Sequence, residues 1–441
     1  MEEEMKKRRV AIIACMLCAT MAAGLMAGCG GKEKEADGGS GDEKEKVTLT
    51  LAASQNWIVD VDRELAEKFE EETGIAIDFQ LSPDDQYQTI VKSKLNTGEG
   101  PDIFMSYSGT KLRDYNPEKN MVDLSDEEWA ANLEQWAIDG NSINGKLYAQ
   151  NTAGVDATNA ILYKPAVFEK LGIKVPTNYA EFQEACKKLE EGGITPIYEF
   201  VKDLWHTHYW MEGASALAVQ NDPDLYEKLN TNEIGFADVP EFKEAMKQLQ
   251  EIEAAGYFGE NHMSNIYDNS YAAMNNEEYG MIINSGAYPN EMKNNLDEAE
   301  PDEWSAFPSP LVDNQYVTLT AGGTTKCINA NSKHVEEAKE YFSFLAEEEN
   351  LQKLYDEKIQ YVSSSVQGIE ASPTKAFEDL KAAEAGEAQG AEASVLFYDG
   401  SKISELCQEM FVGNLTPEQV LEEFDTHRRA LAKDAGQEGF K

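Results

Sequence analysis

The sequence predicts an α/β protein built on a parallel sheet, and three stretches near its start carry that expectation. VTLTLAAS (47–54) alternates and then turns wholly apolar, IAIDFQLS (75–82) repeats the style, and GPDIFMSYS (100–108) is a third short apolar run leaving a proline–aspartate turn. Between the first two lies VDVDRELAEKFEEETG, apolar at helical spacing and ending at Gly74, a residue suited to a helix stop. YQTIVKSKLNTG supplies a second helical pattern before the third run. Strand, helix, strand, helix, strand at this spacing predicts parallel strands with helices covering the faces. Such sheets bind ligands where loops leave the carboxyl ends of the strands. Here those loops are Ser54-Gln55-Asn56-Trp57 and Ser106-Tyr107-Ser108-Gly109.

The middle of the chain repeats the style. GKLYAQNTAGVDATNAILYKPAVFEKLGI (145–173) holds two strand-like runs and a helix start after Lys164-Pro165. VPTNYAEFQEACKKLEEGGITPIYEF (175–200) reads as a helix capped near Thr177 and Asn178, a Gly-Gly stop, and a strand into Pro196. Helical patterns follow at 240–255 and 267–276, then a buried strand in EYGMIINSGAY (278–288) and another in YVTLTAGGTTKCINA (316–330). HVEEAKEYFSFLAEEENLQKLYDEK (334–358) is one long, acidic, amphipathic segment. AAEAGEAQGAEA (382–393) is low-complexity, a helix extension or a surface loop. The chain has no internal repeat.

Charge narrows the function classes. Lys and Arg number 38 against 81 Asp and Glu, a formal balance of −43. A field of that sign repels phosphate backbones and anionic membrane surfaces, so nucleic acid is not an expected partner. With 41% hydrophobic and 27% charged residues the profile is globular. About 390 residues follow the leader and linker described next, enough for two domains.

The N-terminal segment places Lys6, Lys7, Arg8 and Arg9 before an apolar run at 10–27, the order of a secretory signal. A retained membrane helix is the alternative, because the run is near the lower limit for spanning a bilayer. Leu25-Met26-Ala27-Gly28-Cys29 resembles a bacterial lipobox, with Met26 where leucine is usual. That resemblance implies a signal peptide at 1–28 and a lipid on Cys29. Glu3 and Glu4 are unwelcome in a basic leader and point to a start at Met5. Residues 29–46, mostly Gly, Glu, Lys, Asp and Ser, are expected to be a flexible tether. Of six cysteines, Cys15, Cys18 and Cys29 fall in this segment. Cys186, Cys327 and Cys407 remain, widely spaced and odd in number, so no disulfide framework, structural zinc or cofactor is expected. Cys186 reads as a small apolar residue on a helix.

Several stretches together resemble the extracellular solute-binding proteins of bacterial ATP-driven importers, in the carbohydrate-type group that includes maltose-binding protein. They are GPDIF (100–104), NGKLYAQ (144–150), AILYKPAVFEKLGI (160–173), VPTNYAEFQEACKKL (175–189), YAAMNNEEYGMIIN (271–284), AGGTTKCINANSKHVEEAKEYFSFL (321–345) and LTPEQVLEEF (415–424). Their shared order across nearly the whole mature chain carries the resemblance. It implies a two-lobed periplasmic-binding-protein-like (type II) α/β fold whose hinge the chain crosses three times, near Val155, Leu311 and Ser363. Lobe 1 would be 47–155 and 312–362, and lobe 2 would be 156–311 and 363–441. It also implies a monomer, lipid-anchored at the outer face of the cell membrane, that hands a carbohydrate to a membrane permease and has no catalytic activity.

Sugars require flat aromatic faces for their C–H surfaces and planar polar groups for their hydroxyls. Trp57 follows the first strand directly, and the alternative to stacking is packing within a lobe. Gln55 and Asn56 share its loop as hydroxyl partners or as ordinary turn residues, and Ser106 with Tyr107 ends the third strand. Asp156, beside the first crossing, is a candidate hydroxyl acceptor. The run Asp203-Leu-Trp-His-Thr-His-Tyr-Trp210 adds Trp205 and His208. His206 and His208 could be read as a metal pair, but a zinc site needs three or four ligands and no further histidine or cysteine is close in sequence. Tyr288 lies one residue past the place where similar proteins carry a stacking tryptophan. Gly323, with Gly322, would let backbone approach a ligand or simply form a tight turn. The competing classes are a binding protein for a peptide, polyamine or metal, and a secreted glycoside hydrolase working with two carboxylates. No nucleophile motif or phosphate-binding loop favours an enzyme.

Overall fold

The computed structural model describes residues 47–154, 156–320 and 323–440. The leader, Cys29 and the tether lie outside the described residues.

Three strands, Thr48–Ser54, Ala76–Ser82 and Ile103–Tyr107, form one parallel group, with the first in the middle. Leu51 and Ala52 stand opposite Ile103 and Phe104, and Thr48 through Ser54 pair with Ala76 through Ser82. The helix Asp60–Thr73 returns the chain between them. Asp62 accepts the Val59 N–H at 3.0 Å at its start, and Gly74, at φ 78°, ends it by donating to the Glu70 carbonyl. Val61, Leu65 and Phe69 are buried on its inner face.

The sheet is mixed rather than parallel. Thr324–Ile328 runs antiparallel beside Ile103–Tyr107, and Gln150–Asn151 pairs antiparallel on its far side. Both strands reach the sheet through long excursions of the chain, so neither is held to the parallel direction that the short strand–helix–strand units impose on the first three.

A second sheet has the order Ser305–Pro308, Ala160–Tyr163, Tyr279–Asn284, Thr195–Ile197, antiparallel except for its last pair. Helices Tyr179–Glu191, Tyr209–Asn221, Pro240–Ala254, Gly400–Phe411 and Pro417–Asp434 cover one face, burying Phe182, Trp210, Phe242 and Phe424. Asn178 caps the first of these helices by accepting the Glu181 N–H at 3.0 Å. Tyr198, Tyr271, Tyr288 and Trp304 fill the other face.

The stretch 316–330 is two strands. Val317–Thr320 belongs to a third sheet between Glu387–Gln389 and Asp156–Thr158, whereas Thr324–Ile328 belongs to the first. Residues 150–158 divide the same way. Thr325 therefore pairs antiparallel with Asn151 in the first sheet, and Thr320 with Asp156 in the third. A third segment lies against them: a Cβ on Gly154 would stand 1.8 Å from the Ser363 carbonyl oxygen, and Ser365 Oγ donates to the Asn151 carbonyl at 3.2 Å. Leu311 itself packs in the core of the second sheet, and the chain then joins the third sheet at Val317 and the first at Thr324.

Two smaller readings also change. Residues 334–358 break into Val335–Leu345 and Glu348–Glu357. The low-complexity run contains the strand Glu387–Gln389 and the short helix Ala391–Ser394. Cys186, Cys327 and Cys407 are free and buried, Cys186 on the inner face of Tyr179–Glu191.

Candidate functional site

Because Thr48–Ser54 and Ile103–Tyr107 are adjacent and parallel, their carboxyl ends emerge together. Gln55–Trp57 forms a single 3-10 turn there, with Gln55 and Asn56 exposed and Trp57 half-buried. The Trp57 ring meets Tyr107 at 5.1 Å between centroids with 77° between planes, and Tyr87 at 5.1 Å and 69°. Both are edge-to-face geometries, which aromatic pairs favour over a face-to-face sandwich. Tyr87 is fixed from below: its hydroxyl lies 2.7 Å from the Met105 carbonyl and accepts the Met105 N–H at 2.9 Å, with the Ala52 carbonyl at 3.0 Å. One phenol thus ties both parallel strands, and burial raises its pKa well above the ordinary value, so it stays neutral.

Tyr107 is 43% exposed, the most open aromatic side chain of the group. Ser106 is buried beside it and donates to the Tyr107 carbonyl at 3.0 Å, so it shapes the strand end rather than facing outward. Gly323 sits across from this end, where its carbonyl accepts the Ser108 N–H at 3.5 Å. Its φ is 65°, and a Cβ there would stand 2.5 Å from the Ala153 Cβ, so packing and backbone conformation both require glycine. Asp156 is placed by its backbone, in register with Thr320.

A separate aromatic group surrounds Trp205. The turn Val201–Asp203 is followed by Leu204 at φ 58°, a left-handed conformation that costs a leucine roughly 1–2 kcal/mol. Trp205, half-buried, then lies edge-on to Phe200 and Tyr267, each 5.1 Å away. Beneath it His206 places Nδ1 3.0 Å from Glu199 Oε1 and Nε2 2.7 Å from the Ile283 carbonyl, so both nitrogens are engaged within the fold. Thr207 and Trp210 also donate to Glu199. Burial alone would raise the Glu199 carboxyl, but His206 and these donors outweigh it and hold the pKa below the ordinary value. Among the described residues no group of three or more His, Cys, Asp or Glu side chains could hold a metal ion.

His208 and Tyr288 are packed inside. His208 Nδ1 lies 3.2 Å from the Tyr398 hydroxyl, and its ring fills the space where a Cβ on Gly400 would be. Burial lowers its pKa to about 4. Tyr288 donates to Ser270 Oγ at 2.9 Å and stacks on Tyr271. Trp57 and Tyr107 touch, then, and Trp205 heads its own cluster. Sequence reasoning missed Tyr87, Glu199, Glu212 and Tyr398. Tyr87 had a signal, since it stands on the apolar side of a helix that must cover the first sheet; the two buried glutamates had none among so many acidic residues.

Residues 56–352 match the sequence pattern of the bacterial extracellular solute-binding proteins. The chain belongs to that family, whose members bind solutes and are not enzymes. It is 23% identical over 323 residues to the multiple sugar-binding protein of Streptococcus mutans, covering 72% of this chain and 75% of that one. It is 25% identical over 237 residues to the melibiose/raffinose/stachyose-binding protein of Bacillus subtilis, about half of each chain (51% and 52%). Its fold matches a sugar transporter protein of Bacillus licheniformis solved in complex with stachyose, with a TM-score of 0.69, 19% identity, and coverage of 86% of this chain and 98% of the other.

Proposed function

We propose that this protein captures a sugar or oligosaccharide outside the cell and delivers it to the permease of an ATP-driven importer. The observation that carries the reading is the Trp57–Tyr107 pair at the carboxyl ends of two adjacent parallel strands. Tyr107 is 43% exposed there, an aromatic surface suited to the C–H face of a sugar, and exposed Gln55 and Asn56 follow the neighbouring strand, placed to meet hydroxyls. The sugar-binding names of the two relatives and the stachyose bound by the similar structure favour the same class of ligand.

In this account the ligand sits between two lobes, 47–155 with 312–362 and 156–311 with 363–441, and Trp205 supplies an aromatic face from the second. The paired positions Asn151–Thr325 and Asp156–Thr320, with Ser363 against Gly154, mark the hinge. A cleft closed from both sides buries most of a ligand that neither lobe could hold alone. Asp156 lies in this hinge and is the candidate hydroxyl acceptor. His208, Tyr288, Ser106 and Gly323 support the site's walls rather than touching sugar. A lipid on Cys29 holds the monomer at the outer face of the membrane.

Small-angle X-ray scattering tests the reading. A sugar that raises the melting temperature should also reduce the radius of gyration. A sugar bound tightly with no change in scattering would mean a preformed pocket and would remove the clamp.

A further inference from the structure

After the strand Glu387–Gln389 the chain forms a strap through Asp399, fixed by side chains from distant elements. Ser215 Oγ accepts the Ala391 N–H at 3.2 Å, Glu212 Oε1 accepts the Glu392 N–H at 2.8 Å, and Asn230 Oδ1 accepts the Leu396 N–H at 2.7 Å. Arg428 Nε donates to the Leu396 carbonyl at 3.1 Å. On its other side the strap meets the turn Gly109–Tyr115, which begins just after Tyr107. Thr110 Oγ1 donates to the Glu392 carbonyl at 3.2 Å and Lys111 Nζ to the Tyr398 carbonyl at 3.0 Å. A Cβ on Gly109 would stand 3.2 Å from the Ala393 carbonyl oxygen.

Glu212 is fully buried under this strap. Its Oε1 holds the Glu392 amide, while Oε2 has no hydrogen-bond partner. Gly390 leaves no room for relief, since a Cβ there would be 2.2 Å from Oε1. The strap faces Glu212 with the Glu392 carboxylate and the Tyr398 phenol, and the helix Leu225–Asn230 adds the Tyr226 phenol. His208, at the start of the helix that carries Glu212, meets Tyr398, and Lys111 comes from the turn. No cation lies among the groups that set the Glu212 proton affinity. An ionised Glu212 here is a buried charge with no cation beside it, eased only by the Tyr398 phenol and the Glu392 and Ala391 amides.

We propose that Glu212 is a pH-responsive bolt: protonated, it keeps the strap docked against the turn after Tyr107, and ionised, it releases the strap. Burial first, and then the Glu392 charge, push its carboxyl up to about 8. Released to water it would return to roughly 4.3. Across that interval the docked form holds one proton more than the released form, so docking weakens by about tenfold per pH unit as pH rises. His208 acts in the opposite sense. Burial lowers it to about 4, with Glu392 opposing and Lys111 and His206 reinforcing, so its contribution to docking is lost as pH falls from about 6.5 toward that value. The two effects cancel from roughly pH 4.5 to 6.5 and leave Glu212 alone acting from 6.5 to 8.

Amide hydrogen exchange of the full mature chain, corrected for intrinsic rates, reads this without any sugar. Protection at Ala391 and Glu392 should fall about tenfold between pH 6.5 and 8, because Glu212 is already half-ionised at the upper end and His208 still opposes at the lower, while Leu51 in the first sheet holds its protection. Glu212→Gln should abolish the fall. Glu392→Gln keeps the backbone donor and removes the neighbouring charge, so it should lower the Glu212 proton affinity and move the fall to lower pH. Flat protection in the wild type, or an unchanged fall in Glu212→Gln, overturns the proposal. If Glu212→Gln does not fold, an unshifted profile in Glu392→Gln overturns it instead.

Discussion

Trp57 and Tyr107 stand edge to face, 5.1 Å between centroids, although one follows the first strand and the other ends the third. The contact exists because the two strands are neighbours in parallel register, Leu51 against Ile103. Tyr107 is 43% exposed, so truncating it removes little burial. Tyr107→Ala should therefore leave the melting temperature within about 2 °C and weaken sugar binding about tenfold, roughly 1.4 kcal/mol. Melting curves and titrations on the same sample separate the two. A variant that melts far lower would make Tyr107 a packing residue.

Asp62 should be a stability residue of the first sheet's core. It pairs with Lys358 at 2.8 Å, both side chains almost wholly buried, and Lys326 lies within reach of its charge. Burial, with the Lys358 charge adding to it, lowers the Lys326 pKa to about 8. Asp62→Asn keeps an acceptor for the Val59 N–H and removes the only carboxylate facing these amines among the groups that shift Lys326. We expect it to cost about 3–5 kcal/mol in denaturant unfolding. Combining it with Lys358→Met should recover most of that loss, and no recovery would mean that the pair is not the cause.

The anchor is tested at Cys29. Cys29→Ala should move the protein from the membrane fraction into the medium or leave an uncleaved precursor. Unchanged membrane fractionation with normal processing would contradict lipidation there. Mapping the precursor's N-terminus decides between Met1 and Met5.

The first sheet's parallel group was legible because its strands, helices and stops follow one another within 60 residues of chain, where periodicity and glycine stops act locally. The two loops at its carboxyl end followed from the same logic. The division of 316–330 into two sheets was not legible, because the alternating threonines run straight through it and the partners that separate them lie at 150–158 and 387–389. His208 and Tyr288 look in sequence like any cleft residue. What buries His208 is Tyr398, 190 residues away, and Gly400. The strap was illegible for the same reason: its Ala, Glu and Gly composition carries no pattern, and its order comes from Glu212, Ser215, Asn230 and Arg428.

The proposed hinge gives a further expectation. A Cβ on Gly154 would collide with the Ser363 carbonyl, so Gly154→Ala should force these segments apart. If they form the hinge, the variant's radius of gyration should differ from the wild type without ligand, and its sugar affinity should fall at least severalfold. A variant with wild-type scattering and affinity would place the hinge elsewhere.

The most direct test of sugar capture is calorimetric titration of wild type, Trp57→Ala and Trp205→Ala with raffinose, stachyose, melibiose, maltotriose, and chitin and xylan oligosaccharides. The account predicts that at least one of these binds the wild type at micromolar or tighter Kd. It further predicts that each tryptophan variant, still folded by its melting curve, binds that sugar at least tenfold more weakly, a loss of about 1.4 kcal/mol or more. Binding that survives unchanged in both variants, or no binding of any sugar by the wild type, would contradict it.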